Sequence, residues 1–194
     1  MRNSDDETEF ASVALTTRRL LLRPPREGDG TAIAALSANP SIAHNLSALP
    51  GQRRGDGGAT FVAIERRGGA IVGVTGFGAM PERPGANEVA TWIGEPYWGG
   101  GLATEATQAV IDHYFADRKA VVLWCSNRVS NSRARRVIEK CGFQFRETGM
   151  VRSPVFQAAM PVERFILERR NWASLKSWGA DAGEETDEPR HDAA

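Results

Sequence analysis

Cysteine is scarce in this 194-residue chain: Cys125 and Cys141 are the only two. Their separation forms no metal-ligand spacing. Each suits burial as a small hydrophobe, which points to a reducing cytoplasm. Long apolar runs are also missing, since none approaches the roughly 18 residues of a membrane span. The first ten residues, MRNSDDETEF, are acidic and lack the apolar core of a secretion signal. No internal repeat is visible. Net charge, too, is zero.

That zero hides an asymmetry. Acids crowd into residues 1–9 and 179–194, and the span between, 10–178, keeps 22 basic against 14 acidic residues, a net of +8. A basic body suits a polyanionic ligand such as a nucleotide cofactor, and nucleic acid as well. The whole chain is 41% apolar, and its two ends hold little to bury. The expectation is a single domain over 16–172 between a disordered acidic segment, 1–15, and a disordered acidic tail, 173–194.

Along the chain, RRLLLR (18–23) reads as a first strand, stopped by Pro24 and Pro25. Asp29 is placed to cap a helix over 30–38, with a further helical turn or two over 41–49. Residues 51–59 form a polar, glycine-heavy loop. Strands follow at 61–65, 70–77 and 88–93. A helix over 103–116 carries an apolar stripe at Ala103, Ala106, Val110 and Tyr114. AVVLWC (120–125) reads as a strand apolar on both faces. A helix over 132–141 has Ala134, Val137, Ile138 and Cys141 on one side and Arg133, Arg136 and Lys140 on the other. Strands at 143–147 and 162–168 flank a long loop, 149–161. The order implies an α/β (α+β) fold with a mixed sheet, in which the segment from Glu88 to Cys125 is a parallel βαβ unit.

Residues 97–109, YWGGGLATEATQA, organise the chain. A strand runs into Gly99, Gly100 and Gly101, and a helix starts at once. Glycine lets backbone approach closely, and first-turn N–H groups have no intrahelical partner, so this geometry receives an anionic group.

Four segments, TTRRLLLRPP, WIGEPYWGGGLATEA, NSRARRVIEKCGF and VERFILERRNW, resemble in their order and spacing the GNAT-superfamily N-acetyltransferases. The likeness lies with the branch holding the RimJ and RimL ribosomal-protein N-terminal acetyltransferases and covers 16–172. It implies a largely antiparallel sheet with helices on both faces and acetyl-CoA as co-substrate. The family motif Q/R-x-x-G-x-G/A falls on Trp98, Gly99, Gly100, Gly101, Leu102 and Ala103. By resemblance, the N–H groups from Gly99 to Thr104 receive the pyrophosphate, with Trp98 contributing backbone and packing. The backbone near Ile93 pairs with the pantetheine arm, and its N–H polarises the thioester carbonyl. Asn131 stands where the family has a cofactor-contacting asparagine.

The implied activity is direct acetyl transfer to a primary amine, either a protein N-terminus or a small amine, by a cytoplasmic monomer or homodimer. Glu88 is the candidate general base, with Glu95 and Glu105 as alternatives. The chain departs from the family where the leaving thiolate is reprotonated. Ala134 and Ile138 stand at those positions and neither carries a proton; water, Ser130 or Ser132 are the substitutes. A non-catalytic acetyl-CoA-binding module is the competing reading. Nucleic-acid binding lacks the interleaved exposed aromatics it needs. His113 reads as structural and His44 as a neighbour of the acceptor site. Arg133, Arg136 and Lys140 are candidates for the cofactor's 3′-phosphate, and Trp92 and Trp124 for packing in the sheet.

Overall fold

The computed structural model describes residues 13–43, 45, 58–80, 82–116, 119–152 and 158–181. Eight strands form one sheet: β1 (Leu15–Thr16), β2 (Leu20–Arg23), β3 (Ala59–Glu65), β4 (Ile71–Ala79), β5 (Asn87–Ile93), β6 (Val122–Arg128), β7 (Gln144–Arg152) and β8 (Ala159–Glu168). Their order is β1-β2-β3-β4-β5-β6-β8-β7. Every neighbouring pair is antiparallel except β5 and β6, which are parallel as the βαβ connection requires. The helices are α1 (Asp29–Ser37), α2 (Pro40–Ala43), α3 (Leu102–Ala116), α4 (Ser132–Lys140) and α5 (Arg169–Asp181).

The largest core lies between the sheet and α3. Ala106, Val110 and Tyr114 from the expected stripe are buried there, joined by Ile111 and Phe115. They pack with Leu20, Phe61, Val89, Leu123, Phe165 and Leu167 from the strands, and with Ile138 and Cys141 from α4 and its end. A smaller cluster of Ile42, Val74 and Trp92, with Ile33 and Leu36, seats α1 and α2 on the opposite face.

Several boundaries differ from the sequence expectation. Asp29 is the first residue of α1 and not its cap; Gly28, with φ 94°, holds the cap position without a side-chain hydrogen bond. The Asp29 carboxylate instead accepts both Nη atoms of Arg23, at 2.7 and 2.8 Å, and the Arg26 N–H at 2.6 Å. A fork of two charged donors outcompetes a helix N–H for the same oxygens. Strand β6 begins two residues later than expected and is buried on one face only: Leu123, Cys125 and Asn127 point into the core. The expected loop at 149–161 is strand at both of its ends, because β7 runs to Arg152 and β8 starts at Ala159, and 153–157 lie outside the described residues. Cross-strand pairing supplies what its weak apolar alternation does not.

The chain past Trp172, expected to be disordered, continues as α5 to Asp181. Trp172 donates its indole N–H to Asp112 at 2.8 Å and stacks against Phe115, and Leu175 lies over Gly142. Leu15, expected in the disordered N-terminal segment, is already in β1. Residues 1–12 and 182–194, His44, and most of the 51–59 loop lie outside the described residues.

Candidate active site

Strand β5 carries the site's geometry. Its register with β6 is fixed at one pair, Glu88 opposite Trp124, and no ladder pair follows it among the described residues, which leaves an unpaired gap between the two strands. Gly94 N–H bonds to Val72 C=O on β4 at 2.7 Å. Because N–H direction alternates along a strand, Ile93 and Thr91 turn theirs away from β4, toward the gap beside β6, while that of Val89 belongs to the Glu88–Trp124 ladder pair. The Ile93 carbonyl is already engaged, accepting the Trp98 indole N–H at 2.6 Å.

Glu88 sits at the apex of this gap, half-buried, and its Oε1 accepts the Ser126 N–H at 3.0 Å. Ser126 is the next residue of β6 to face β5 after Trp124. A side chain thus closes the ladder where the backbones separate.

At the other end of β5, the 3-10 turn Glu95–Tyr97 leads into the glycines. Gly99 and Gly101 have φ of 81° and 79°, which only glycine adopts readily. The first N–H with a helical acceptor is that of Glu105, bonded to Gly101 C=O at 3.1 Å. The N–H groups of Leu102, Ala103 and Thr104 therefore have no place in the helical ladder and are free for an anion at the helix start. Nothing lies within 4 Å of the positions a Cβ would take at Gly99 or Gly100, so the loop's outer face is open.

Two side chains hold the loop in shape. Trp98 does more than pack, since its indole bond to Ile93 ties the loop to the end of β5, and Arg133 lies 5.0 Å over its ring. Arg19 donates Nη1 to Gly100 C=O at 2.6 Å. In a trans peptide that orientation turns the next N–H, of Gly101, the opposite way. Arg19 lies in the TTRRLLLRPP segment, and nothing in that run marks which arginine reaches the loop.

Arg19 is in turn fixed by Glu105. The Glu105 carboxylate accepts Thr17 Oγ1 at 2.6 Å, Arg19 N–H at 2.7 Å and Arg19 Nε at 2.7 Å. Burial works to raise the Glu105 pKa, but these hydrogen bonds and the guanidinium charge outweigh it and hold the pKa below the usual carboxylate value. Glu105 is an anchor between the β1–β2 turn and α3, so its alternative role as a base is set aside. Glu95 is exposed and pairs with Asn39 of the α1–α2 connection.

A cavity of about 440 Å³ beside the loop is lined by Arg18, Arg19, Gly101, Thr104, Gln108 and Lys140, among others. Of the three cations considered for a 3′-phosphate, only Lys140 lines it; Arg133 is engaged with Trp98, and Arg18 is an unforeseen addition. Asn131 is the N-cap of α4, its Oδ1 accepting the Ala134 N–H at 3.1 Å. Ile138 is buried in the core and Ala134 is half-buried. Ser130 and Ser132 are exposed. Burial raises the Cys125 thiol well above its ordinary value and Cys141 to about 12, so neither is a ready thiolate. His113 packs edge-on against Phe61 at 5.7 Å, in a structural position. Among the described residues no cluster of three or more potential metal ligands occurs, and no helix is long and apolar enough to cross a membrane.

The acetyltransferase (GNAT) domain family matches this chain over residues 19–144. An uncharacterized N-acetyltransferase of Bacillus subtilis, YoaA, is 27% identical over 172 residues, covering 77% of this chain and 92% of YoaA. Among solved structures, a GCN5-related N-acetyltransferase from Brucella melitensis is similar with a TM-score of 0.69 at 17% identity, over 93% of this chain and 90% of that one. RimL, a ribosomal L7/L12 alpha-N-protein acetyltransferase solved in complex with coenzyme A, is similar with a TM-score of 0.63 at 16% identity, over 80% of this chain and 98% of that one. At such identities the structural likenesses speak to the fold.

Proposed function

Because the chain belongs to the GNAT acetyltransferase family and uses acetyl-CoA, we propose that it acetylates a primary amine held at the apex of the β5–β6 gap. The candidate acceptors are a protein N-terminus, as in the RimJ/RimL-like branch, or a small amine, and the setting is a cytoplasmic monomer or homodimer. The observation that carries this reading is the placement of Glu88. It stands where the two parallel strands separate, at the end of β5 opposite the glycine loop.

Acetyl-CoA supplies the acetyl thioester. The chain's own groups then divide along β5. The open N–H groups from Gly99 to Thr104, with Arg18 and Lys140 nearby, suit the phosphates. The gap-facing N–H groups of β5 suit the pantetheine amides. In the transfer, the amine nitrogen forms the new C–N bond, the C–S bond breaks with its electron pair going to sulfur, and one amine proton is released. The Glu88 carboxylate accepts that proton, directly or through a water. Glu88 and Ile93 are five residues apart, roughly 17 Å along an extended strand. The N–H that polarises the thioester carbonyl is therefore better sought at Thr91, which shares Ile93's outward orientation and lies nearer Glu88. Asn131 caps α4 and keeps its amide nitrogen for the cofactor. With Ala134 and Ile138 in place of proton donors, water protonates the thiolate.

A thiol-release assay over a panel of amines tests the reading. Glu88→Gln is expected to lower kcat by about 100-fold or more while leaving the affinity for acetyl-CoA unchanged. Wild-type kcat in that variant would remove Glu88 from the mechanism.

A further inference from the structure

The face of the sheet that carries Glu88 holds a second charged group that the transfer chemistry does not use. Side chains alternate along each strand, so Glu88 on β5, Trp124 and Ser126 on β6, and Arg164 on β8 share one face. Glu147 on β7 pairs in register with Arg164, and Arg164 with Ser126, whose N–H meets the Glu88 carboxylate. Arg83, from the β4–β5 connection, places its guanidinium 4.2 Å over the Trp124 ring. Trp124, expected only to pack in the sheet, forms the floor between Glu88 and two arginines.

The two arginines on this floor share a single carboxylate partner, Glu147. Arg83 Nη2 lies 2.8 Å from Glu147 Oε1, and Arg164 Nη1 lies 3.5 Å from the same oxygen. One carboxylate oxygen serves two cations, and the Nε of each arginine is buried with no hydrogen-bond partner among the described residues. The Arg164 side chain is only 11% exposed. A buried guanidinium with an unmet donor is costly unless an anion or a water meets it. Space for Arg164 is made by Gly149: a Cβ there would meet Arg164 Nη1 at 2.4 Å and Cζ at 2.9 Å. Arg83 is the accessible member, its side chain 43% exposed.

We infer that this arginine pair is an anion subsite of the acceptor pocket, so the preferred acceptor is a primary amine that also carries a carboxylate or phosphate. The inference rests on the proposed transferase reading and names the class of its second substrate. The amine lies at Glu88 and the anion at Arg83, with Arg164 behind it. Neighbouring strands are about 4.8 Å apart, so the two charges of the acceptor stand roughly 5–10 Å from each other. Arg83 already lies over an aromatic face, whose negative π-cloud holds its charge in place. Polyamines and basic N-termini meet a like charge in the same place.

The test is a comparison of kcat/KM within matched pairs in the thiol-release assay. A peptide beginning Asp-Glu is set against one beginning Asn-Gln, and free glutamate against glutamine, with spermidine as the cationic control. The acidic member of a pair is expected to be favoured at least tenfold, mainly through KM, with the preference shrinking as salt rises. The pair showing the larger ratio separates a peptide from a free metabolite as the source. Arg83→Gln brings the acidic acceptor down to its neutral partner, and Arg83→Lys restores part of the difference. The salt dependence requires no variant and stands if Arg83→Gln folds poorly. Turnover indifferent to acceptor charge overturns the inference alone. Absence of thiol release with every amine overturns the transferase reading and this inference with it.

Discussion

At the scale of single residues, charge in this protein is placed by competition among donors. Asp29 accepts three hydrogen bonds, from Arg23 and the Arg26 N–H, at the junction between β2 and α1. The Arg23 fork is the main reason its pKa falls to about 2, against an opposing contribution from burial. A depressed carboxylate pKa stabilises the fold above the unfolded pKa, near 4, and that contribution is lost as pH falls through the folded value. The shift corresponds to at most about 2.5 kcal/mol. Asp29→Asn is therefore expected to lower the midpoint of urea unfolding at pH 7 and to match the parent protein increasingly closely as pH approaches 2. A gap that stays constant over that range would show the contribution to be packing and not charge. From the sequence alone Asp29 looks like a helix cap, because an aspartate before a helical run is the usual signature. Nothing local reveals that Arg23 will arrive across a proline turn. Glu105 carries the same lesson, since its partners Thr17 and Arg19 are far upstream.

At the scale of elements, the glycine loop and α3 were legible because their physics is local. Three glycines followed by helix formers state both the open backbone and the unsatisfied N–H groups. Strands β7 and β8 were legible only in part, since β7 alternates between exposed and half-buried residues and derives its order from pairing with β8. The loop makes separable predictions for neighbouring glycines. Gly101 has φ 79°, so Gly101→Ala strains the backbone and is expected to destabilise the protein by about 1 kcal/mol or more. Gly100 has no such φ and nothing within 4 Å of its would-be Cβ. Gly100→Ala should leave thermal stability nearly intact while weakening acetyl-CoA binding about tenfold or more, because the methyl group stands where the anion approaches the N–H groups. Calorimetry on both variants checks this. Unchanged affinity in Gly100→Ala would mean the loop is a turn and no more.

At the scale of the whole molecule, the parallel β5–β6 pair follows from connectivity, and the basic body from counting charges. The proposed acceptor face is illegible in sequence because it is assembled by register. Arg83, Trp124, Glu147 and Arg164 lie on four separate segments and share no spacing or motif. The proposed cofactor cradle is dispersed in the same way: Arg18 comes from the β1–β2 turn, the glycines from the start of α3, and Lys140 from the end of α4. A ligand bridging these parts binds the folded state alone, so its binding free energy adds to the stability of the entire domain. At 100 times the Kd that addition is about 2.7 kcal/mol. For a chain of this size it corresponds to a rise in Tm of roughly 5–10 °C. Acetyl-CoA and CoA are both expected to produce it, and ATP, which has phosphates but no pantetheine arm for β5, much less. The rise should shrink with added salt, since Arg18 and Lys140 act through charge. Equal shifts with ATP and CoA would mean that the phosphate cradle alone holds the ligand, and that the open edge of β5 plays no part in recognition.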